Sequence, residues 1–464
     1  MFAPDQLAQW TGGRWTAQPV SPLSGFATDS RTLRPGQVFV ALQTAQRDGH
    51  EFLLAAAAAG ASAALVQRRN PALALPQLVV ADPLAAFQQI AREHRRQFRG
   101  PVIGITGSCG KTSTKELLAL LLGGEAGGVL ATTGNLNNHL GVPLTLTRLD
   151  PAAHRFAVVE AGISAPGEMD VLAGMIEPDL ALVTLVAPAH LQELGSVEGV
   201  AAEKARLPAA VRPAGVAIFP NDCTQFSAFR ELGVRTMVIE PAEVVRPTEP
   251  PKDKVYFAVT QRNESTAIAI AYGAPPPFVF RMRRISAGMA QNATLAICTA
   301  LWLGVSPADI QQRLEHWQPV QWRGELRRAA DRLLYLDFYN ANPASMADAV
   351  DTFCALTPVE QPRLFVLGCM EELGSDAARY HRELGRSLPV RADDRVIVIG
   401  GEAASVAAGA REQGGRDGQI EVVTALEPVT ARIAGWRGSV FVKGSRRYQL
   451  EKTLAPELVG AAHH

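Results

Sequence analysis

The stretch that most constrains this chain is residues 104–115, Gly-Ile-Thr-Gly-Ser-Cys-Gly-Lys-Thr-Ser-Thr-Lys. An apolar, strand-like run (101–105) leads into it, and a leucine-rich, helix-like run (116–122) follows it. Strand, glycine loop, Lys-Thr and helix is the layout of a triphosphate cradle. Glycines let backbone N–H groups reach phosphate oxygens with no Cβ in the way. The helix N-terminus adds the positive end of its dipole. The candidate nucleotide contacts are Gly107, Ser108, Gly110, Lys111, Thr112 and Ser113. Lys111 can reach the outer phosphates, and the Thr112 hydroxyl can ligate Mg²⁺. The spacing departs from the common form, whose first glycine would fall at position 105. That position is Ile, and the glycines stand at 104, 107 and 110 instead.

At 464 residues the chain is too long for one core and suits about three domains of ~150 residues. Residues 1–82 hold strand candidates at 36–42 and 63–67 around an alanine-rich helix, a small α/β unit. The segment 82–99 is helical and charged at its end, a connector. Between 101 and 317 strands and helices alternate, and 156–160 and 180–186 are nearly continuous apolar runs. Such runs mark strands buried on both faces of a parallel sheet. Prolines and β-rich segments at 245–280 predict an antiparallel extension, and a helix follows at 289–303. A second boundary falls at 319–323. Beyond it, strands at 333–337, 363–368, 395–400 and 440–443 alternate with helices in a doubly wound pattern. The predicted fold is therefore α/β with three domains. A small N-terminal domain (1–82) and a Rossmann-like C-terminal domain (319–464) flank a mostly parallel, phosphate-loop domain (83–318).

Lys+Arg and Asp+Glu are balanced at 45 each, which argues against a nucleic-acid binder. Five cysteines, widely spaced and without a CxxC, predict a reduced, cytoplasmic protein. No basic-then-apolar leader and no 18-residue apolar run occur, so neither a signal peptide nor a membrane span is expected.

Glu160 ends a buried strand, where ligands collect in open α/β sheets, and a carboxylate there near a nucleotide commonly holds Mg²⁺. His190 follows the next such strand. Alone, His190 reads as a structural or surface histidine and Lys204 as a solvated helix lysine. Asn135, Asn137 and Asn138 form a dense amide cluster that is either a turn or a set of hydrogen-bonding groups for a polar ligand. Asp337 ends a strand of the third domain, just before Tyr339-Asn-Ala-Asn-Pro343, where an acid could meet a ribose hydroxyl. A GTPase switch would want Asn-Lys-x-Asp, and none is present.

The glycine spacing of the 104–114 loop resembles that of the Mur ligase family, and the resemblance spans nearly the whole chain. Thr28-Asp-Ser-Arg31, 35–42 and Asp48-Gly-His50 look like its N-terminal UDP-sugar domain. Asn135-Leu-Asn-Asn138, Val159-Glu-Ala-Gly162, Ala189-His-Leu191, Gly195-Ser196 and Glu203-Lys-Ala205 look like its ATPase domain. Tyr339-Asn-Ala-Asn-Pro343, Leu367-Gly368 with Glu372-Leu-Gly374, and Lys443-Gly-Ser-Arg446 look like the C-terminal domain of one branch. That branch joins D-alanyl-D-alanine to UDP-N-acetylmuramoyl-tripeptide. The Rossmann glycine motif and the Asp-Asn-Pro-Arg run of other branches are missing here.

The resemblance implies an ATP- and Mg²⁺-dependent amide ligase of peptidoglycan precursor synthesis, cytoplasmic and monomeric. It implies that Lys204 is carbamylated and shares Mg²⁺ with Glu160, His190 and Thr112. Lys111 and Arg323 would meet ATP phosphate, Asn292 adenine and Asp337 ribose. Ser30, Arg31, Asp48 and His50 would hold the UDP-sugar. Asn135, Asn137, Asn138, Tyr339, Asn340 and Asn342 would meet the remaining substrate. Two alternatives share these motifs: a sister ligase with a different amine acceptor, and a binding protein that does not ligate. The intact Lys111, Glu160, His190 and Lys204 speak against the second. The chain departs from the family pattern at Thr44, Ser286, Gly288, Leu336 and Cys369.

Overall fold

The computed structural model describes residues 1–20, 22–245, 252–262, 264–273, 276–329 and 332–455. The first sheet holds β1 (Arg14–Trp15), β2 (Phe26–Ala27), β3 (Val38–Val40), β4 (Ala63–Val66) and β5 (Gln77–Val79). Its order is β1-β5-β4-β3-β2, parallel except for β1 at the edge. The second comprises β6 (Val102–Thr106), β7 (Val129–Ala131), β8 (Phe156–Glu160), β9 (Leu180–Val183) and β10 (Val216–Pro220). It continues through β11 (Thr236–Pro241), β12 (Lys254–Gln261), β13 (Ser265–Ala271) and β14 (Phe278–Arg283). Its order is β14-β13-β12-β11-β10-β9-β6-β8-β7. Every residue of β6, β8, β9 and β10 is buried, which is why these strands read as unbroken apolar runs.

The expected extension at 245–280 is the antiparallel group β12-β13-β14, although 246–251, 263 and 274–275 lie outside the described residues. The third sheet holds β15 (Glu325–Ala329), β16 (Arg332–Asp337), β17 (Arg363–Gly368), β18 (Arg395–Ile399), β19 (Ile420–Val423) and β20 (Ser439–Lys443). Its order is β15-β16-β20-β17-β18-β19, with only β15 antiparallel. Sequence reading missed β15 and β19. Both are edge strands, and an edge tolerates the charge of Glu-Leu-Arg-Arg-Ala and the exposed Val422.

In the central sheet β9 lies on one side of β6 and β8 on the other. The crevice at the carboxyl end of β6 is thus a topological switch point, the usual place for a ligand in such a sheet. The glycine loop leaves β6 there.

The helix Pro83–Gln97 starts where Asp82 accepts from the N–H groups of Leu84 and Ala85 at 2.8 and 3.2 Å. Its Phe87 and Ile90 sit in the first core and its Ala91 in the central core. Arg95 is fully buried and donates to the carbonyls of Ile176 and Glu177, both at 2.7 Å, and to Asp179 at 2.9 Å. The 82/83 division drawn from sequence therefore falls at the cap of a helix that serves two cores.

Candidate active site

The loop after β6 is shaped by two neighbours. Gly107 and Gly110 have φ of +147° and +82°, conformations that L side chains rarely adopt. A Cβ on Gly107 would strike the Thr184 hydroxyl, and one on Gly110 would strike the amide of Asn292. Gly104 is different. It lies within β6, where a Cβ would press on the Leu207 methyl carbons at 3.2 Å. Leu207 belongs to the helix Val197–Ala209, which also carries Lys204. The unusual glycine thus seats a helix, and only the other two shape the loop.

Ser108 is spent on anchoring. Its Oγ donates to the Ala187 carbonyl at 2.8 Å and accepts from the Ala187 N–H at 3.0 Å. Its backbone N–H donates to the Leu185 carbonyl at 2.8 Å, so Ser108 fixes the shape of the loop. The next helix, Lys111–Leu121, has Gly110 as its cap and starts five residues earlier than the leucine-rich run predicts. Lys111 folds back to donate to the Gly107 carbonyl at 2.7 Å. Burial pushes its ammonium below the usual lysine range, with Glu160 opposing and Arg323 adding to the fall.

Glu160 is 1% exposed. Its Oε1 accepts from Asn137 Nδ2 at 2.7 Å and from Thr112 Oγ1 at 3.2 Å. Its Oε2 is buried and has no hydrogen-bond partner. Leaving a buried acceptor unmet is costly, so this oxygen is a natural ligand for a cation. Among the described residues no three His, Cys, Asp or Glu side chains converge on one point. One carboxylate and one hydroxyl nevertheless fit Mg²⁺, which keeps several waters and takes substrate phosphates as further ligands.

His190 has a positive φ of +53°, and its Nδ1 is held by Glu372 of the third domain. Burial lowers its pKa while Glu372 opposes the fall. A neutral ring that donates through Nδ1 keeps Nε2 as its one open lone pair. Lys204 is 1% exposed and does not line the cavity. Its Nζ makes no hydrogen bond or ion pair among the described residues. Burial, and then the neighbouring Lys111, hold it well below the usual lysine range.

One cavity of about 550 Å³ gathers most of the candidates from the central and third domains. Its wall includes Ser108, Gly110, Lys111, Thr112, Ser113, Asn135, Asn137, Asn138, Glu160, His190 and Asn292 from the central domain. Arg323, Asp337, Tyr339, Asn340 and Asn342 close it from the other side. The Arg323 guanidinium stacks 3.9 Å over the Tyr339 ring, and its Nε is buried without a partner. Asp337 bonds to Lys443 Nζ at 2.7 Å; burial raises its pKa and Lys443 opposes the rise.

Several amides are already occupied. Asn138 accepts from the N–H groups of Leu140 and Gly141 at 3.1 and 2.9 Å, and Asn340 accepts from the Ala341 N–H at 2.8 Å. Asn342 caps the helix Pro343–Leu356 and donates to the Ser108 carbonyl at 3.3 Å, tying the third domain to the glycine loop.

Ser30, Arg31, Asp48 and His50 lie apart from this cavity, beyond the carboxyl ends of β2 and β3. Asp48 holds His50 Nδ1 at 2.6 Å, and Arg68 bonds to the same carboxylate. His50 Nε2 accepts from the N–H groups of Gln67 and Arg68 at 3.1 and 3.2 Å, just past β4. Arg31 pairs with Asp29.

Sequence reasoning left Lys443, Arg68, Thr184 and Glu372 out of the site. Lys443 ends the apolar strand β20, the same signal that marked Glu160. Glu372 stands in the Glu372-Leu-Gly374 motif, which carried the resemblance but no role, and Arg68 and Thr184 had no signal short of the fold.

Two domain families match the chain: the Mur ligase middle domain over residues 105–300, and the Mur ligase glutamate ligase domain over 322–446. A UDP-N-acetylmuramoyl-tripeptide–D-alanyl-D-alanine ligase of Escherichia coli (strain K12) is 32% identical over 93% of each chain. The chain belongs to the Mur ligase family. The Bacillus subtilis (strain 168) ligase of the same name is 33% identical over 84% of this chain and 82% of its own. Among solved structures, MurF of Acinetobacter baumannii superposes with a TM-score of 0.85 at 30% identity, covering 97% of each chain. MurF of Thermotoga maritima, solved with ADP, gives 0.76 at 25% identity over 92% of this chain and 96% of that one. The chain is thus an ATP-dependent Mur ligase of the MurF type. Among its described residues no helix is long and apolar enough to cross a membrane.

Proposed function

We propose that this chain joins D-alanyl-D-alanine to UDP-N-acetylmuramoyl-tripeptide at the expense of ATP, through an acyl phosphate, as a cytoplasmic monomer. The observation that carries the reading is the convergence, in one cavity between two domains, of Lys111, Glu160 with its unmet oxygen, and Arg323 with its unmet Nε. The names of the relatives give the substrates.

In the first step the terminal carboxylate of the tripeptide attacks the γ-phosphorus of ATP. A carboxyl O–P bond forms, the β–γ bridging P–O bond breaks, and ADP leaves. Two anions must be brought together for this. Lys111 leaves the Gly107 carbonyl for the transferring phosphoryl group, and Arg323 meets it from the third domain. Glu160 and Thr112 would hold Mg²⁺, with His190 Nε2 and Lys204 adjoining. When bound, the ion supplies positive charge against the phosphate oxygens.

In the second step the dipeptide amine attacks the acyl carbon, phosphate leaves, and the amine loses a proton. The acyl phosphate needs shelter from water. A cavity walled by two domains provides it, and closure of the third domain would complete it.

Lys204 suits the carbamate role. CO₂ reacts with a neutral amine, and burial beside Lys111 favours that form. The carbamate is an anion, which would balance Lys111. Ser30, Arg31, Asp48 and His50 are proposed to hold the UDP-sugar from the first domain. Asn292 and Asp337 are proposed to meet adenine and ribose, and Asn135, Asn137, Tyr339 and Asn340 the remaining substrate.

The test is phosphate release with UDP-muramyl tripeptide, with and without D-alanyl-D-alanine, followed by mass analysis of the product. Release that needs both substrates, with a product heavier by the dipeptide less water, is the expected result. Release with a different amine, or none, would refute the substrate assignment.

A further inference from the structure

The helix Ala287–Trp302 begins in the wall of the nucleotide cavity, and Gly288 lies in its first turn. The Gly288 N–H donates to Asp348 Oδ1 at 2.9 Å, across the junction between the central and third domains. A Cβ on Gly288 would stand 2.8 Å from Asp348 Oδ2. Only glycine lets the carboxylate settle this closely on the helix. Asp348 has no ion-pair partner among the described residues, and its Oδ2 makes no hydrogen bond there. Both residues line the cavity, so this oxygen is an acceptor available to a ligand.

A Cβ on Gly110 would collide with the Asn292 amide, so Asn292 abuts the phosphate loop. Gly288 is four residues earlier, about 6 Å along the helix axis at ~1.5 Å per residue. Asn292 is the residue proposed to meet adenine. Asp348, bonded to Gly288, then stands about one helical turn from that contact, at the edge of the base.

We infer that Asp348 is a base-reading residue. Its free oxygen accepts a hydrogen bond from the 6-amino group of adenine and repels the 6-oxo group of hypoxanthine or guanine. The exocyclic group at this position is a donor in adenine and an acceptor in guanine. A carboxylate, which only accepts, distinguishes them by attraction to one and repulsion of the other. The third domain thereby takes part in nucleotide choice through the helix Pro343–Leu356. The inference rests on the reading of this cavity as the ATP site.

The experiment is calorimetric titration of the whole protein with ADP, IDP and 2′-deoxy-ADP. The wild type is expected to favour ADP over IDP by roughly 10²-fold or more, the range for sites that hydrogen-bond a discriminating group. Asp348→Asn, whose amide can donate to a 6-oxo group, is expected to cut that ratio by about tenfold or more. Gly288→Ala keeps the carboxylate but lifts it off the helix. It is expected to shift the ratio the same way, and it serves if Asp348→Asn does not fold. An ADP:IDP ratio unchanged in both variants overturns the inference and leaves the ATP site standing. A change confined to ADP against 2′-deoxy-ADP overturns it as well, by putting the carboxylate on the sugar. A wild-type protein that binds none of the three overturns the ATP-site reading and this inference with it.

Discussion

The two polar clusters of this molecule are built on opposite plans. In the first domain the groups satisfy one another: both ring nitrogens of His50 are bonded, and Asp48 holds His50 and Arg68. In the cleft, Glu160 Oε2 and Arg323 Nε have no partner, and behind its wall Lys204 is buried with no ion pair among the described residues. The first cluster is held in shape by its own bonds before anything binds. The second holds unmet charge in place for a ligand, at a cost to the fold. Substitutions in the cleft should therefore remove turnover with little harm to stability, and substitutions in the first cluster should lower stability and weaken UDP-sugar binding while sparing turnover at saturating substrate.

The largest effect is expected at Lys111. Lys111→Ala should lower turnover by roughly 10²-fold or more, as loss of a preorganised charge contact does, with an unchanged circular dichroism spectrum. Near-normal turnover in a folded variant would show that the charge held in the cleft does not serve the reaction.

Lys204 comes next. Lys204→Ala should be inactive or nearly so and regain part of its turnover with short carboxylic acids, which replace the carbamate. Lys204→Met should be equally inactive yet unfold at a higher temperature than the unmodified protein in CO₂-free buffer, because an unpaired buried amine gives way to an apolar chain, a gain on the order of 1–2 kcal/mol. A variant that stays active without added acid removes the carbamate from the mechanism.

His50→Ala tests the other side. Two backbone N–H groups lose their acceptor, so stability should fall by about 2 kcal/mol in urea unfolding. Turnover at saturating substrate should change less than twofold.

The smallest effect concerns the support between the two regions. Burial alone would raise the Glu177 pKa, but hydrogen bonds from Arg96, Arg212 and Arg92 outweigh it and hold it at about 2. A carboxylate depressed in the folded state contributes stability above its unfolded pKa. That contribution is lost as pH falls through roughly 4.5 towards 2. Glu177→Gln should flatten the acid-unfolding curve over that window and cost about 1 kcal/mol at neutral pH, since solvent screens the exposed share.

The parts of the molecule that were legible in sequence follow from local chemistry. β8 was read to the residue because burial on both faces demands an unbroken apolar run. The phosphate loop was legible because positive φ demands glycine at 107 and 110. What escaped depends on packing between distant segments. Gly104 looked like a displaced loop glycine, and only the approach of Leu207 explains it. Ser108 looked like a phosphate ligand, yet its hydroxyl is tied to Ala187, 79 positions on. Asp348 lines the cleft from another domain and Glu372 reaches His190 from there, and no periodicity in their own segments reports it.

The helix Pro83–Gln97 has a mechanical consequence. It is a shared wall, so parting the first two units would strip Phe87 and Ile90 of their cover and break the bonds of a buried arginine. Those units are effectively welded. Freedom to open and shut the cleft must then reside on its other flank, at the junction 319–324, where Trp322 and Gly324 both have positive φ. The ligase would work as a two-piece jaw, although its chain folds into three sheets.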